Sequence, residues 1–422
     1  MSFRDSKNIP KSWEIKRIKD IGKVKGGSTP STKKEEYWNG EIPWITPKDL
    51  SDHNSVYISS GERSITKKGF ENSSTHLLPK KSILFSSRAP IGYIAIAQKE
   101  LCTNQGFKSI IPNDNMDYMF LYYLLKHNTN YIERMANGST FSEISGSRLE
   151  KIELLLPPLK EQKKIANIFS TLDKKIENNN RMNKTLEKMA QAMYKSWFVD
   201  FEPFQDEEFV DSEFGLIPKG WEIKKLDKLF NFKRGIEPGS KNYEENKQKN
   251  NVKFIRVGDV GEGSRETVFI DKKFIKKEKY CNYGDILVSF DATIGRVTMI
   301  QEGCYNSGLK RIYPKKEYKD LFSNGLIYLM MKSDNIQNTI NKYAAGTTIL
   351  HASKSVKHLQ HPFPKNDDII INFQKKIKPI IKKILLNKKE NKSLKQLRDS
   401  LLPKLMSGEI RVPLDEDAKE VN

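Results

Sequence analysis

The sequence contains no arrangement of residues that is typical of a catalytic site. A nucleotide-phosphate loop requires the pattern Gly-x4-Gly-Lys-Ser/Thr, which does not occur. An adenine methyltransferase needs an Asn/Asp-Pro-Pro-aromatic element to hold a flipped base, whereas Pro157 and Pro158 are flanked by Leu156 and Leu159. The GDVGEG segment at 258–263 lacks the glycine spacing of a dinucleotide-binding loop. We therefore predict a non-catalytic chain.

Histidines lie close together near the end of the chain, at His351, His358 and His361. A zinc or similar site would also need Cys or carboxylate partners at ligand spacing, and none stand beside these histidines in the sequence. We therefore interpret them as polar loop residues and predict no metal site.

Loop residues suited to binding a polyanion are more informative. Lys and Arg contact phosphates, and Asn, Gln, Ser and Thr beside them can read base edges. We predict nucleic-acid contacts at Thr29, Lys48, Arg88, Asn104, Gln105, Lys108, Ser139 and Thr140, and at Arg256, Arg296, Asn306, Lys310, Thr347 and Thr348. Bidentate contacts to guanine and adenine suit Arg88 and Gln105, respectively. For each single residue the alternative is a solvated loop side chain.

The overall charge agrees with a polyanionic partner. The 422 residues carry a formal net charge of +20 and a pI near 9.5, which favours nucleic acid. A nucleotide-biased genome, rich in Lys, Asn and Ile codons, is the alternative explanation. The three cysteines form no Cys-x-x-Cys pair, and no apolar run approaches the length of a membrane span. We predict a soluble, cytoplasmic protein, in which Cys102 and Cys304 are small buried side chains.

The predicted contact residues lie in a chain that repeats itself. KSWEIKRI at 11–18 matches KGWEIKKL at 219–226, an offset of 208 residues. ILFSSRAPIG at 83–92 matches ILVSFDATIG at 286–295, and CTNQGFKSIIP at 102–112 matches CYNSGLKRIYP at 304–314. GSTFSEIS at 138–145 matches GTTILHAS at 346–353. We predict two copies of one module. Because Arg88 matches Asp291 and Gln105 matches Ser307, the copies are expected to bind different targets.

Each module has the pattern of an α+β domain. Short apolar runs such as ILFSS and DILVS, separated by Gly, Ser, Asn and Lys, predict strands joined by turns. The segment YMFLYYLLKHNTNYIERM at 118–135 predicts a helix. Loops on such a scaffold are where binding residues usually lie.

A helical segment with apolar residues at alternating steps of four and three follows each module. This spacing predicts a coiled-coil seam. The pairing residues we predict are Ile165, Phe169, Leu172, Ile176, Asn179, Asn183 and Leu186 in the first helix, and Ile377, Ile380, Ile384, Asn387, Asn391, Leu394 and Leu401 in the second. Paired Asn at a seam can fix the register of two helices, although Asn is frequent throughout this chain. Pro379 predicts a kink or a fresh start in the second helix, and Pro403 a bend near its end.

Several blocks together carry a family likeness: GGSTP at 26–30, PWITPKDL at 43–50, SSRAPIG at 86–92, NQGFKSI at 104–110, PPLKEQKKIA at 157–166 and LLPKLMSGEI at 401–410. The chain resembles the specificity subunit of type I restriction-modification systems over nearly its whole length. The resemblance implies an α+β fold in which two tandem, pseudo-symmetric target recognition domains are separated by two long helices that pair as an antiparallel coiled coil.

The resemblance also implies a division of the chain and a set of partners. Residues 1–157 would form the first target recognition domain, 158–200 the first helical spacer, 201–215 a linker, 216–364 the second target recognition domain, 365–410 the second spacer and 411–422 a tail. The chain would read a bipartite, asymmetric target in double-stranded DNA and direct two methyltransferase subunits and restriction/translocase subunits to it. S-adenosylmethionine, ATP and Mg²⁺ would be bound by those partners and not by this chain.

The second copy departs from the family pattern at one segment, and two other functions stay open. HPFPKNDDII at 361–370 stands where PPLKEQ would be expected in the second copy, which puts in doubt how symmetrically the methyltransferase subunits are held. The alternatives are a self-contained DNA-modifying enzyme with unrecognised chemistry and an RNA-binding coiled-coil scaffold. Activity of the chain alone would favour the first, and a preference for single-stranded RNA the second.

Overall fold

The computed structural model describes residues 9–51, 53, 55–88, 90–136, 143–261, 267–275, 277–346 and 350–413. The chain forms two compact units. Unit 1 consists of Met1–Asn178 and Lys392–Asn422, and unit 2 of Asn179–Asn391. Each unit therefore combines one copy of the sequence repeat with segments of both long helices.

Unit 1 contains ten strands among its described residues, arranged in sheets of five, three and two strands in the orders β2-β9-β6-β7-β4, β5-β3-β8 and β1-β10. The strands are β1 (Glu14–Arg17), β2 (Gly22–Gly26), β3 (Trp38–Ile45), β4 (Tyr57–Ile58), β5 (Arg63–Ile65), β6 (Ile83–Ser87), β7 (Ile91–Ala97), β8 (Cys102–Thr103), β9 (Lys108–Pro112) and β10 (Glu153–Leu156). The helices are α1 (Ile18–Ile21), α2 (Pro47–Ser51), α3 (Lys67–Glu71), α4 (Tyr118–His127), α5 (Thr129–Arg134), α6 (Gly146–Glu150) and the first part of α7 (Leu159–Phe198).

Unit 2 repeats this plan after a hairpin of β11 (Phe209–Ser212) and β12 (Gly215–Pro218). Its strands are β13 (Trp221–Lys225), β14 (Phe230–Arg234), β15 (Asn251–Ile255), β16 (Val268–Asp271), β17 (Tyr280–Cys281), β18 (Ile286–Ser289), β19 (Val297–Thr298), β20 (Gly303–Tyr305), β21 (Leu309–Pro314) and β22 (Gln360–Pro364). Its helices are α8 (Leu226–Leu229), α9 (Asn324–Met331), α10 (Asp334–Lys342) and most of α11 (Asp367–Met406).

The sheets of the two units share most of their strand order. Among the described residues, the five-stranded sheet of unit 1 has four strands in unit 2, and the three-stranded sheet β5-β3-β8 corresponds to the four-stranded sheet β16-β15-β20-β17. The order β14-β21-β18-β19 repeats β2-β9-β6-β7, and the pair β13-β22 repeats β1-β10. Parallel pairing of Trp44 with Cys102 in β3 and β8 is matched by parallel pairing of Phe254 with Cys304 in β15 and β20. The predicted α+β class and the predicted duplication are confirmed.

A helix buried on every side fills the core of each unit. In unit 1 this is α4, capped by Asp117, whose carboxylate accepts a hydrogen bond from the Phe120 amide at 2.8 Å. The predicted helix over 118–135 is divided into α4 and α5 at Asn128, whose side chain donates to the Leu124 carbonyl at 2.8 Å and ends the first helix. In unit 2 the corresponding helix is α9, capped by Ser323.

Within unit 2, the long helices pair through a layer of buried asparagines. Asn179 Nδ2 donates to Asn391 Oδ1 at 2.9 Å, and Asn387 Nδ2 donates to Asn183 Oδ1 at 2.9 Å. The four residues are 1–5% exposed. Since residue numbers rise along one helix as they fall along the other, this pairing is antiparallel. Leu186 and Ile380 are partly buried beside the layer, while Ile377 and Ile384 belong to the unit 2 core.

Within unit 1, the same two helices are held by a buried ion pair. Arg398 Nη1 lies 2.7 Å from Asp173 Oδ1, and Tyr123 Oη donates to Asp173 Oδ2 at 2.7 Å. The remaining predicted pairing residues of this unit are buried or half-buried: Ile165, Phe169 and Ile176 are buried, while Leu172, Leu394 and Leu401 are half-buried. An arginine at a seam position is thus compensated by a carboxylate on the facing helix.

The second helix does not end and start afresh at Pro379, so that part of the prediction from the sequence is wrong. The helix α11 is continuous from Asp367 to Met406 and includes Pro403 as well. Proline removes one intrahelical hydrogen bond and costs about 3 kcal/mol in a helix interior. Burial of Phe373 and Ile377 before the proline and Ile381 after it holds the helix together and offsets that cost. No helix among the described residues is long and apolar enough to cross a membrane.

The PPLKEQ segment joins the start of α7 to Trp13, which directly precedes β1. Glu161 is fully buried and accepts hydrogen bonds from Trp13 Nε1 at 3.0 Å and from Arg411 Nε at 2.7 Å. The second copy departs from this pattern, because Ile369 stands at the matching position. Trp221, the counterpart of Trp13, instead packs against aromatic rings at the end of α7 and just after it: Phe198, Phe201 and Phe204.

Candidate nucleic-acid interface

In unit 1, two loops meet at the ends of β2 and β8. The Asn104 amide donates to the Ile45 carbonyl at 3.0 Å, and Asn104 Oδ1 accepts from the Gly106 amide at 2.9 Å. The Ser28 amide donates to the Thr103 carbonyl at 3.0 Å. A Cβ atom at Gly27 would lie 2.2 Å from two carbonyl oxygens, so only glycine allows this close approach. The backbone of the site is therefore fixed.

Four of the predicted contact residues come together on this scaffold. Thr29 Oγ1 and Gln105 Oε1 lie 2.5 Å apart, and Lys108 Nζ is 3.4 Å from the Gln105 carbonyl. Arg88 lies beyond Lys108, with its Nη1 3.8 Å from Glu143 Oε2. Burial lowers the pKa of Lys108, Glu143 raises it and Arg88 lowers it. The result is a cationic surface with an amide and a hydroxyl at its edge.

Unit 2 reproduces the scaffold in detail. The Asn306 amide donates to the Ile255 carbonyl at 2.9 Å, and Asn306 Oδ1 accepts from the Gly308 amide at 2.7 Å. The Ile236 amide donates to the Tyr305 carbonyl at 2.8 Å. A Cβ atom at Gly235 would again lie 2.2 Å from two carbonyl oxygens. The same loops thus meet in the same way.

The side chains on the unit 2 scaffold are different. Glu237 Oε2 accepts from Ser307 Oγ at 2.8 Å and from Asn306 Nδ2 at 3.2 Å. Arg234 Nε donates to the Ser307 carbonyl at 3.0 Å. Burial lowers the pKa of Lys310, and Arg234 also lowers it, whereas Asp291 raises it. Lysine is therefore kept at one position in both units while its polar neighbours change.

A polar pair at the edge of each site differs between the two units. Arg88 and Glu143 form a backbone bridge in unit 1, and Asp291 and His351 form the corresponding bridge in unit 2. His351 Nδ1 lies 2.8 Å from Asp291 Oδ1. The cation Arg88 of unit 1 is thus replaced by the anion Asp291 in unit 2.

Three other predicted residues are engaged by neighbouring groups. Lys48 Nζ forms an ion pair with Glu62 Oε2 at 2.9 Å on the surface of unit 1. Arg256 Nη2 lies 3.2 Å from Asp259 Oδ1, and Arg296 Nη1 donates to the Val260 carbonyl at 3.0 Å. The side-chain oxygens of the predicted residues Asn104 and Asn306 hold their own loops, as described above. Ser139, Thr140, Thr347 and Thr348 lie outside the described residues.

Sequence reasoning missed three residues of the unit 2 site. Arg234, Glu237 and His351 were not among the predicted contacts. Glu237 stands at an offset of 208 from Thr29, so carrying the repeat alignment through that predicted contact would have found it. Arg234 and His351 match Gly26 and Glu143, which were not predicted contacts, so the alignment did not point to them.

The histidines and cysteines do not gather into a site. His361 is buried with its Nε2 2.9 Å from Tyr194 Oη, and burial lowers the pKa of His361 to about 3. His358 stacks on Tyr343 with ring centroids 3.9 Å apart. Burial raises the pKa of Cys102 and of Cys304 to about 11. Over the described ranges, no group of three or more His, Cys, Asp and Glu side chains is arranged to hold a metal ion.

The chain matches a family model and several known proteins. A family model described as the type I restriction modification DNA specificity domain matches the chain twice, over residues 10–188 and 218–397. The type I restriction enzyme MjaIX specificity subunit of Methanocaldococcus jannaschii is 38% identical over 97% of this chain and 96% of its own length. The HindI specificity subunit of Haemophilus influenzae is 28% identical over 72% of this chain and 80% of its own length.

A solved structure supports the fold. The crystal structure of a type I restriction-modification S subunit from M. genitalium aligns with a TM-score of 0.58 and 19% sequence identity, covering 95% of this chain and 97% of that one. The resemblance predicted from the sequence blocks is confirmed, and the chain belongs to the type I restriction-modification DNA specificity family.

Proposed function

We propose that the chain is the DNA-reading, non-catalytic subunit of a type I restriction-modification complex, and that each unit reads one half of a bipartite, asymmetric target. One observation carries the proposal: the two units present the same loops on the same backbone hydrogen bonds, but with different side chains. Relatives over nearly the whole length are named specificity subunits of such enzymes.

Some residues are the same in the two units and others differ, which agrees with the two kinds of contact found at a DNA interface. Phosphate contacts position a protein on the duplex without reading sequence, and base-edge contacts specify the sequence. Lys108 and Lys310 stand at the same position of the two units, as residues that bind phosphate in either half-site would. Gln105 and Ser307 differ, as do Arg88 and Asp291. Different half-sites, and hence an asymmetric target, follow.

The proposal assigns the chemistry to partner subunits. Two methyltransferase subunits would bind S-adenosylmethionine, and restriction/translocase subunits would bind ATP and Mg²⁺. This chain would hold none of these cofactors and would bring the partners to their target in the cytoplasm. Its contribution to the reaction is the choice of sequence.

The test is to co-express the chain with cognate methyltransferase subunits and to map N6-methyladenine across the host DNA. The proposal predicts a split, asymmetric methylated motif that disappears when this chain is omitted. Methylation that persists without the chain, or a contiguous motif, would contradict it. Nuclease or methyltransferase activity of the purified chain, lost on changing one carboxylate, would favour a self-contained enzyme instead.

A further inference from the structure

A polar couple bridges the two loops of the candidate interface in each unit, but its chemistry differs. In unit 1 the couple is Thr29 with Gln105, a hydroxyl and an amide. In unit 2 the couple is Glu237 with Ser307, a carboxylate and a hydroxyl. Both couples are on the exposed rim of the loops. The surrounding backbone is the same, so the two couples present different groups at the same place.

The carboxylate of Glu237 is held in a fixed orientation. Its Oε2 atom receives two hydrogen bonds, from Ser307 Oγ and Asn306 Nδ2. Asn306 is in turn fixed, because its Oδ1 closes the loop on the Gly308 amide. An ionised carboxylate only accepts hydrogen bonds, whereas the amide of Gln105 both donates and accepts. Unit 2 therefore presents an anchored acceptor where unit 1 presents an adaptable group.

An anchored carboxylate discriminates between bases in the major groove. Cytosine offers an amino group at N4 and adenine one at N6, and both can donate to a carboxylate. Guanine O6 and N7 and thymine O4 are acceptors, so a carboxylate facing them leaves both sides without a donor. Such a mismatch lowers binding by about tenfold or more, the usual range for one base contact.

We propose that the couples Thr29–Gln105 and Glu237–Ser307 determine the base read at one equivalent position of each half-site, and that Glu237 selects a base carrying an amino group there. The inference rests on the proposed function and adds the residues that set specificity. It does not require any change in the shared lysines or in the loop scaffold.

The experiment is methylation mapping with three variants, each expressed with the methyltransferase subunits. Glu237→Gln keeps the shape of the side chain but adds a donor and removes the charge. We expect guanine or thymine to become acceptable at one position of the second half-site, with methylation of those sites rising about tenfold over wild type. Glu317→Gln is the matched control, because Glu317 is exposed beyond Pro314, at the other end of β21 from Lys310. It should leave both half-sites unchanged.

The double variant Glu237→Thr/Ser307→Gln places the two side chains of the unit 1 couple in unit 2. It distinguishes a change of base preference from a structural effect of the single substitution. We expect the altered position to accept the base that unit 1 reads at its equivalent position, with the first half-site unaffected. An unchanged second half-site in both variants would overturn the inference while the proposed function stands. So would changes in both half-sites together, or loss of methylation in both variants with the control active. Absence of a chain-dependent motif in wild type would overturn the proposed function and this inference with it.

Discussion

The buried asparagine layer of unit 2 makes a sharp prediction for the change Asn183→Leu. In wild type, Asn183 Oδ1 accepts the hydrogen bond of Asn387 Nδ2, and the two residues are 2% and 1% exposed. Asn387 Nδ2 carries two hydrogens, and its other contact is Met182 Sδ at 3.4 Å. Replacing Asn183 therefore leaves one N–H of this buried amide without its oxygen acceptor, which costs about 1–3 kcal/mol. We therefore expect Asn183→Leu to destabilise the pairing of the long helices in unit 2.

The double variant Asn183→Leu/Asn387→Leu should behave in the opposite way. It removes both the donor and the acceptor, and it also removes Asn183 Nδ2, a buried atom that has no hydrogen-bond partner among the described residues. Two leucines at a seam bury apolar surface in place of amides. We expect the double variant to be more stable than either single one, because the loss in each single variant comes from the orphaned partner.

Hydrogen exchange of peptides from residues 179–198 is the appropriate assay, since a chain of two units is not expected to unfold in one step. A loss of about 1–3 kcal/mol corresponds to roughly 5- to 150-fold faster exchange. Peptides from residues 159–172 of unit 1 provide the internal reference, and Lys184→Leu, at the exposed position next to Asn183 in the same helix, provides the control. A double variant that exchanges as fast as the two single effects combined would show that the orphaned partner is not the source of the loss.

Three further predictions concern other parts of the molecule. Arg398→Met should destabilise unit 1 by about 3–5 kcal/mol, because Asp173 is left without its cation and is only 9% exposed. In thermal unfolding, adding Asp173→Asn should restore part of this loss of stability. If no stability is restored, the loss does not come from the ion pair. Because burial lowers the pKa of His361 to about 3 from an unfolded value near 6.5, the unfolded chain takes up the proton first as the pH falls. The stability of unit 2 should therefore be full above about pH 6.5 and decline below it by up to about 1.4 kcal/mol per pH unit. In urea titrations His361→Gln should flatten this decline, and an unaltered pH dependence would assign it elsewhere. Lys108→Met and Lys310→Met should each lower the salt slope of DNA binding by about one phosphate contact on specific and random duplexes alike, and unchanged slopes would exclude these lysines from the phosphate contacts.

The repeat could be predicted from the sequence because residues that fix the backbone recur at matching positions. Gly27 and Gly235 allow the close approach of two loops, and Asn104 and Asn306 close the same turn. The seam pattern predicted that the long helices pair, and the family resemblance implied that they are antiparallel. The seam asparagines do meet across the two helices in the structure.

Other features depend on packing between distant segments, and the sequence does not reveal them. Thr29 and Gln105 are separated by 76 residues, so their contact could not be inferred from either loop alone. The compensation of Arg398 by Asp173 likewise requires knowing how the two helices face each other. Pro379 was expected to break the second helix because local rules do not include the buried side chains on both sides of it.

The central claim is that each unit reads its own half-site through the module it carries. The most direct test is a hybrid chain in which residues 22–112 are replaced by a second copy of 230–314, together with Glu143→His to restore the polar pair at the edge of the site. Both segments begin and end on residues that pair with each other, Gly22 with Pro112 and Phe230 with Pro314, so the exchange respects the sheet. Mapping N6-methyladenine after co-expression with the methyltransferase subunits should give a target with two identical half-sites, each that of unit 2. Retention of the original first half-site would show that residues 22–112 do not determine the half-site that unit 1 reads.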